Sequence, residues 1–217
     1  MTRLAIFDCD GTLVDGLAAV CEAMGRAFGV CGVPPPERAA IRRIVGLSLP
    51  QAVRHLAPEL PPAQRAQLVE EYKTAFRNAR EEGRLEEPLF PGIADLLGRL
   101  KADGWLLGIA TGKSDRGLAA CLAGHRLTGH FTSVQTTDRH PSKPNPAMLH
   151  AALAEAGAQP HEAVMIGDTV FDMAMAQAAG VRAVGVAWGY HAPHELLDAG
   201  ASAVAQDGAE LERLIHG

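Results

Sequence analysis

Six short apolar segments recur along the chain, and helical patterns separate most of them. Each segment is rich in residues that favour strands and ends at glycine or another turn residue, which predicts a buried strand. The segments span residues 4–7, 105–110, 131–135, 163–167, 183–186 and 201–205. Because strands that alternate with helices form parallel sheets with helices on both faces, the pattern predicts an α/β fold.

The region from residue 15 to residue 87 shows helical patterns only. Four apolar residues, spaced as on one side of a helix, open this region: Leu17, Val20, Met24 and Phe28. Shorter helical stretches follow, and the longest one has its apolar stripe on residues 68–76. We therefore predict a core domain of residues 1–14 and 88–217, with an all-helical domain of residues 15–87 inserted into it.

The first apolar segment leads directly into the sequence Asp8-Cys9-Asp10-Gly11-Thr12. Side chains alternate along a strand, so Asp8 and Asp10 are expected on the same side at its carboxyl end. Carboxylates this close repel each other, and the pKa of one of them should rise. Such a pair can bind a cation, or it can divide into an ionised nucleophile and a protonated acid. A solvated acidic loop is the alternative interpretation.

Three later sequences follow predicted strands or begin predicted helices, and each carries polar groups. Thr111 and Gly112, at the end of the second segment, can donate two hydrogen bonds to a phosphate oxygen. Lys143 precedes a proline at the start of a helical pattern. Asp168 follows the fourth segment, and Asp172 lies one helical turn later, so both carboxylates can share a face. Taken singly, these residues are also typical of a turn, a surface lysine and a helix N-cap.

Together, the order and spacing of these motifs resemble the haloacid dehalogenase superfamily of aspartyl-phosphate phosphohydrolases. The resemblance covers essentially the whole chain, and the phosphoglycolate phosphatase-like group is the most similar part of the superfamily. The stretches Leu89-Phe90-Pro91-Gly92 and Ala187-Trp188-Gly189-Tyr190 support that grouping, whereas Gly16 stands where relatives usually have serine. The resemblance implies a Rossmann-like core sheet and a helical cap, which residues 15–87 would form.

The resemblance also implies the catalytic roles. Asp8 would be the nucleophile that forms an aspartyl phosphate. Asp10 would protonate the departing alkoxide and then take a proton from the water that cleaves the intermediate. Thr111, Gly112 and Lys143 would bind the phosphoryl oxygens. A dehalogenase forms an ester on carbon and needs no second aspartate for an alkoxide, so the presence of Asp10 favours a phosphate ester as substrate.

A count of charges favours a metal ion. Asp8, Asp168 and Asp172 contribute three carboxylates and the substrate phosphate adds about two charges, while Lys143 offsets only one. A hard divalent cation that prefers oxygen ligands fits best, which means Mg²⁺. The resemblance implies that its ligands are the Asp8 and Asp168 carboxylates and the Asp10 backbone carbonyl. Asp172 would act through water or hold Lys143.

Composition excludes several classes of protein. The chain has 217 residues, of which 47% are hydrophobic, so it can bury one sizeable core. Its formal net charge of −5 gives no basic footprint for nucleic acid, and no apolar run approaches the length of a membrane span. The first strand is predicted to begin at residue 4, so we expect no secretory signal. We therefore expect a cytoplasmic monomer or homodimer that acts on a small phosphorylated metabolite.

Two further groups of residues have plausible alternative roles. His191 and His194 have a spacing seen in metal sites, but a surface loop is the favoured interpretation. Cys9 lies beside the expected nucleophile, and its side chain should point into the core as packing rather than act as a reactive thiol. The four cysteines show no paired metal-type spacing, which agrees with reduced thiols.

The helical insertion is the expected substrate selector, since it can close over the catalytic residues and exclude water. Within it, Arg42 or Arg43 could pair with a substrate carboxylate such as that of 2-phosphoglycolate. Adjacent helical residues point in different directions, so at most one of the two arginines should face the site. A phosphosugar mutase of the β-phosphoglucomutase type is the main alternative, and a binding or regulatory module without catalysis is another.

Overall fold

The computed structural model describes residues 2–217 and contains a six-stranded sheet. The strands are β1 (Leu4–Phe7), β2 (Leu106–Thr111), β3 (Ser133–Thr136), β4 (Ala163–Gly167), β5 (Arg182–Val186) and β6 (Ala203–Ala205). Their order across the sheet is β3-β2-β1-β4-β5-β6, and every neighbouring pair is parallel. β1 is therefore a central strand, and the chain crosses from one half of the sheet to the other between β3 and β4.

Ten α-helices occur in the described residues. They are α1 (Leu17–Val30), α2 (Arg38–Ile44), α3 (Leu49–Leu56), α4 (Pro62–Glu81), α5 (Ile93–Ala102), α6 (Asp115–Gly124), α7 (Ala147–Ala156), α8 (Val170–Ala179), α9 (Pro193–Asp198) and α10 (Gly208–His216). A short 3₁₀ helix, Pro160–Glu162, precedes β4. No helix in residues 2–217 combines the length and the apolar character needed to cross a bilayer.

The alternation of side chains along β1 explains why both faces of the sheet are covered. Ala5 and Phe7 belong to a hydrophobic cluster with α5, α6 and α10. Leu4 and Ile6 point the other way and belong to a second cluster with α7, α8 and α9. All four side chains are fully buried, as expected for a strand of a doubly covered parallel sheet. The predicted α/β class is confirmed.

The four helices α1–α4 share a hydrophobic cluster of their own. Met24, Phe28, Val53 and Leu68 are buried in it, and all of its members lie between residues 20 and 72. A separate apolar core is typical of a domain, although the boundaries at residues 15 and 87 stay a prediction. The two connections to the sheet run side by side, because the Asp15 amide donates to the Pro88 carbonyl oxygen at 2.9 Å.

The loop between α2 and α3 closes against the ends of the strands. The Ser48 amide donates to Ser142 Oγ at 2.8 Å. A Cβ atom at position 112 would lie 2.7 Å from the carbonyl oxygens of both Gly46 and Leu47, a distance that Cβ atoms do not reach. Only glycine at position 112 permits this approach. The helical region is therefore in contact with the end of β2.

Some element bounds differ from those expected from the sequence. The strand expected at residues 201–205 is shortened to β6, because the Ala201 amide donates to the Leu196 carbonyl oxygen at the end of α9. The strand expected at 131–135 is β3 instead, which begins where Ser133 pairs with Gly108. Helix α9 itself has only six residues and was too short to give a periodic pattern.

Truncation of Leu68 tests the separate helical cluster. Leu68→Ala should lower the free energy of unfolding by about 2–5 kcal/mol, because it removes a fully buried side chain and leaves a cavity. Leu197→Ala is the control, since Leu197 is 50% exposed and its loss should cost about 0.5 kcal/mol or less. Chemical denaturation followed by circular dichroism measures both values. Equal losses would contradict the packing described for α1–α4.

Candidate functional site

The residues singled out in the sequence converge where the chain changes direction across the sheet. Asp8 follows β1, Thr111 ends β2 and Asp168 follows β4, so all three lie at the carboxyl ends of neighbouring strands. The connection that leaves β1 leads toward β2 and the connection that leaves β4 leads toward β5, so the two run in opposite directions and open a crevice between β1 and β4. Ligands of open α/β sheets bind at such a switch point.

Three buried carboxylates surround one buried ammonium group at this point. Asp8, Asp168 and Asp172 each offer a carboxylate oxygen, and these atoms lie within 4.8 Å of one another. Lys143 Nζ lies 2.8 Å from Asp8 Oδ1 and 2.6 Å from Asp172 Oδ1. Lys143, Asp168 and Asp172 are 0% exposed and Asp8 is 1% exposed. The cluster therefore holds more negative than positive charge away from water.

Local hydrogen bonds fix the two carboxylates at the end of β4. Thr169, rather than Asp168, is the N-cap of α8, and its amide and hydroxyl donate to Asp172 Oδ2 at 3.1 and 2.7 Å. Asp168 accepts from the Thr12 hydroxyl at 2.8 Å and from the Tyr190 amide at 3.0 Å. Both side chains are therefore preorganised before any ligand binds.

Burial and the neighbouring charges shift the ionisation of this cluster. Burial raises the pKa of Asp8 to about 7 against the attraction of Lys143, and the charge of Asp172 raises it further. Burial also raises the pKa of Asp168, with added repulsion from Asp8 and Asp172. For Lys143, burial disfavours the charged form, but Asp172 and Asp8 outweigh it and raise the pKa. A cation would relieve the repulsion among the carboxylates.

One oxygen of Asp8 is well suited to a metal ion. Asp8 Oδ2 is buried and has no hydrogen-bond partner within residues 2–217. Buried polar atoms are almost always paired, so an orphaned carboxylate oxygen beside two more carboxylates points to a missing cationic ligand. A set of carboxylate oxygens suits a hard divalent cation such as Mg²⁺. The residues present therefore fit the expected metal.

Asp10 belongs to a different ionic cluster from Asp8. Lys113 Nζ lies 3.0 Å from Asp10 Oδ1 and 2.5 Å from Glu87 Oε1. Burial raises the pKa of Asp10, Lys113 opposes the shift, and the charge of Glu87 adds to it. Mutual repulsion with Asp8 was expected from the sequence, but the main causes of the two pKa shifts are burial and the nearest lysine of each aspartate, Lys143 for Asp8 and Lys113 for Asp10.

Sequence analysis missed Lys113 and Glu87. Lys113 stands directly after Thr111-Gly112, and that position at a strand end was the available signal. Glu87 lies at the end of a charged stretch that is typical of a solvated surface, so nothing in its sequence context marked it. Their side chains are only 8% and 7% exposed in the structure.

Thr111 and Gly112 lie beside Asp8 and Asp10 at the floor of a cavity of about 680 Å³. The wall facing the sheet comes from α1, α4 and the loop before α3, and it includes Met24, Leu47, Tyr72 and Phe76. The opposite wall comes from the start of α6 and from residues 137–142. The cavity therefore lies between the helical region and the core, and Asp8 and Asp10 line it, whereas Lys143, Asp168 and Asp172 are fully buried and do not.

Arg42 and Arg43 contact other residues and do not face the cavity. Arg42 Nη2 donates to the Gly189 carbonyl oxygen at 2.9 Å, and Arg43 Nη1 lies 2.6 Å from Glu195 Oε1. Neither arginine is among the residues that line the cavity. The physical reason is that Arg42 reaches the loop after β5 and Arg43 reaches α9, so in this arrangement they join the helical region to the core. A contact with substrate would require a different arrangement.

The structure buries Cys9 as expected, but it also buries His191, which is 2% exposed and therefore not on the surface loop that the sequence favoured. Cys9 is 1% exposed and packs in the core cluster of α5 and α6. His191 Nδ1 accepts from the Val170 amide at 3.2 Å, whereas His194 is exposed at the start of α9. Within residues 2–217, Asp8, Asp168 and Asp172 form the group with metal-binding geometry, and the histidines do not take part.

Comparison with known proteins agrees with this geometry. The family model described as haloacid dehalogenase-like hydrolase matches residues 5–186. The chain is 34% identical to a protein of Dickeya dadantii named "Probable phosphatase IndB", over 100% of this chain and 94% of that protein. It is also 34% identical to a phosphoglycolate phosphatase of Rhodospirillum rubrum, over 97% of this chain and 90% of that protein.

Solved structures give the same result. A hydrolase from Pseudomonas syringae superimposes with a TM-score of 0.87 at 27% identity and covers 100% of this chain and 98% of its own. A haloacid dehalogenase-like hydrolase from Streptococcus pneumoniae gives 0.85 at 28% identity, with 98% of each chain covered. The resemblance drawn from the motifs is confirmed: the chain belongs to the haloacid dehalogenase-like hydrolases and is similar to their phosphoglycolate phosphatase group.

Proposed function

We propose that this protein is an Mg²⁺-dependent phosphatase that hydrolyses a small phosphorylated metabolite through an aspartyl-phosphate intermediate. The observation that carries the proposal is the buried cluster of Asp8, Asp168, Asp172 and Lys143, with one Asp8 oxygen free of hydrogen bonds in the described part of the chain. The names of the relatives, which include phosphatases, support the reaction class.

The proposed catalytic steps give each of these side chains one role. Asp8 attacks phosphorus and forms the aspartyl phosphate, while Asp10 gives its proton to the departing alkoxide. Asp10 then takes a proton from water as that water attacks phosphorus and releases phosphate, which regenerates both carboxyl groups. Thr111, Gly112 and Lys143 bind the phosphoryl oxygens. Phosphoryl transfer needs positioning and charge stabilisation above all, and these groups supply both.

Asp8, Asp168 and the Asp10 backbone carbonyl would hold Mg²⁺. When bound, the ion neutralises charge on the transferring phosphoryl group. Asp172 holds Lys143 at 2.6 Å, so it supports the site through that lysine. The ammonium group then lies where it can contact both the nucleophile and the phosphoryl oxygens.

We propose 2-phosphoglycolate as the first substrate to test, because several relatives carry the name phosphoglycolate phosphatase. A cavity of about 680 Å³ also admits larger phosphate esters. A panel of phosphoglycolate, sugar phosphates and nucleotides would rank the substrates by kcat/KM. The cytoplasmic location, the oligomeric state and the role of Arg42 and Arg43 toward substrate stay predictions.

Metal dependence tests the acidic cluster. Chelation should abolish hydrolysis of phosphate esters, and added Mg²⁺ should restore it. Asp168→Asn should weaken Mg²⁺ binding by more than the roughly 10- to 100-fold that is typical for loss of an outer-shell partner. Titration calorimetry measures binding independently of activity. Asp198→Asn changes an exposed carboxylate on α9 and serves as the control. Full activity in chelator would contradict the proposal.

Trapping the intermediate tests the nucleophile. Rapid acid quench with a ³²P-labelled ester should leave acid-stable, base-labile label on the wild-type protein. Asp8→Asn should abolish this label, because an amide oxygen is a far poorer nucleophile. Asp10→Asn keeps the nucleophile and should still be labelled. Base-labile label on the Asp8→Asn variant would mean that the nucleophile lies elsewhere.

Gly112→Ala tests the contact of the helical region with the core. The new Cβ would lie 2.7 Å from two backbone oxygens, so the loop at Gly46–Leu47 must move away from the end of β2. A displacement of about 1 Å near the reacting groups can cost about 10²-fold, and kcat/KM should fall by that order. Gly124→Ala is the control, because its Cβ meets nothing within 4 Å. Similar kinetics for both variants would show that the contact is dispensable.

A further inference from the structure

A second ammonium group lies beside the site and has no role in the chemistry described above. Lys113 lies between Asp10 Oδ1 at 3.0 Å and Glu87 Oε1 at 2.5 Å. The side chains of Lys113, Asp10 and Glu87 are 8%, 13% and 7% exposed. An ion pair this well shielded from water holds its partners more firmly than a surface pair does.

The backbone around Asp10 is shaped to allow this contact. A Cβ atom at position 16 would lie 2.7 Å from Asp10 Oδ1 and 3.6 Å from Glu87 Oε1. Position 16 therefore lies against the Asp10 carboxylate, and any larger residue there would contact it. The oxygen next to Lys113 is Oδ1, so Oδ2 stays available for a second interaction.

We propose that Lys113, itself anchored by Glu87, is a positioning residue that holds Asp10 for proton transfer to the leaving group. The proposal rests on the acid–base role given to Asp10 above. The ion pair engages Oδ1, which has no hydrogen-bond partner in residues 2–217, and this arrangement leaves Oδ2 for the substrate oxygen. Proton transfer requires heavy atoms within about 2.6–3.2 Å, so a freely rotating carboxyl group would spend less time in reach.

Lys113, Asp10 and Glu87 lie at the boundary between the helical region and the core. Glu87 lies on the connection from α4 back to the core, and Arg80 Nη2 of α4 lies 3.8 Å from Glu87 Oε2. Lys113 Nζ lies 5.7 Å from the centre of the Phe76 ring, also on α4, which is within cation–π range. The orientation of Asp10 therefore depends on the position of α4 over the site.

The test compares two phosphate esters, first in the wild-type protein and then in the Asp10→Asn variant. Lys113→Gln should lower kcat/KM for an alkyl phosphate, whose leaving group needs a proton, by about 10- to 100-fold, within the range known for general acid catalysis. For p-nitrophenyl phosphate, whose leaving group needs little protonation, the loss should be about threefold or less. Lys113→Arg should restore most of the activity toward the alkyl ester. Lys101→Gln alters an exposed lysine on α5 and is the control.

A double-mutant cycle separates positioning from a structural role. In the Asp10→Asn background, Lys113→Gln should cause no further loss, because the group that it positions is already disabled. The inhibition constant of inorganic phosphate should stay unchanged, since Lys113 does not bind the phosphoryl group. The double variant Lys113→Gln, Glu87→Gln removes both charges and serves if the single variant is unstable, and it should show the same dependence on the leaving group.

The outcomes distinguish the two proposals. Equal losses on both esters for Lys113→Gln, or an undiminished loss in the Asp10→Asn background, would overturn the positioning role. Weaker inhibition by inorganic phosphate would also overturn it and indicate substrate binding instead. If Asp10→Asn itself loses activity equally on both esters, the acid role of Asp10 in the proposed function fails, whatever the result for Lys113.

Discussion

The buried ion cluster around Lys143 is the interaction on which the rest of the structure depends. Its ammonium group contacts Asp8 and Asp172, while Asp168 adds a third carboxylate nearby. Charges buried in this way are costly unless they are paired, and removal of one partner typically costs about 3–5 kcal/mol. Only the convergence of the ends of β1 and β4, the start of α8 and the loop before α7 brings these groups together. The charged groups can therefore meet only in a sheet with this strand order.

The loop after β5 connects this cluster to the helical region. The Tyr190 amide holds Asp168, and the Tyr190 hydroxyl accepts from the Gly16 amide at 3.2 Å, on the connection into α1. The Gly189 carbonyl oxygen accepts from Arg42. One short loop therefore contacts a candidate metal ligand and two parts of the helical region. A shift of the helical region would therefore reach Asp168 through this chain of hydrogen bonds.

The sequence predicted those elements that a short stretch of residues is enough to identify. Apolar segments bounded by turn residues gave all six strands, because a strand buried on both faces must be apolar along its length. Asp8, Asp168 and Lys143 could be found because each follows or precedes a clear element boundary. The partners of Arg42 and Arg43 could not be predicted, since the direction of a long, flexible side chain depends on residues that are distant in sequence. Glu87 could not be found for the same reason.

The different environments of Asp8 and Asp10 have a different cause from the one that their spacing suggests. Two residues apart on one strand end, they were expected to separate their pKa values by repelling each other. In the structure, Asp8 faces Lys143 and Asp10 faces Lys113, and each lysine has a second carboxylate. The second partner of Lys143 is Asp172, in the candidate metal site. The second partner of Lys113 is Glu87, on the connection from the helical region to the core. Of the two aspartates, Asp10 is thus the one linked to α4, through Lys113, Glu87 and the contact of Lys113 with Phe76.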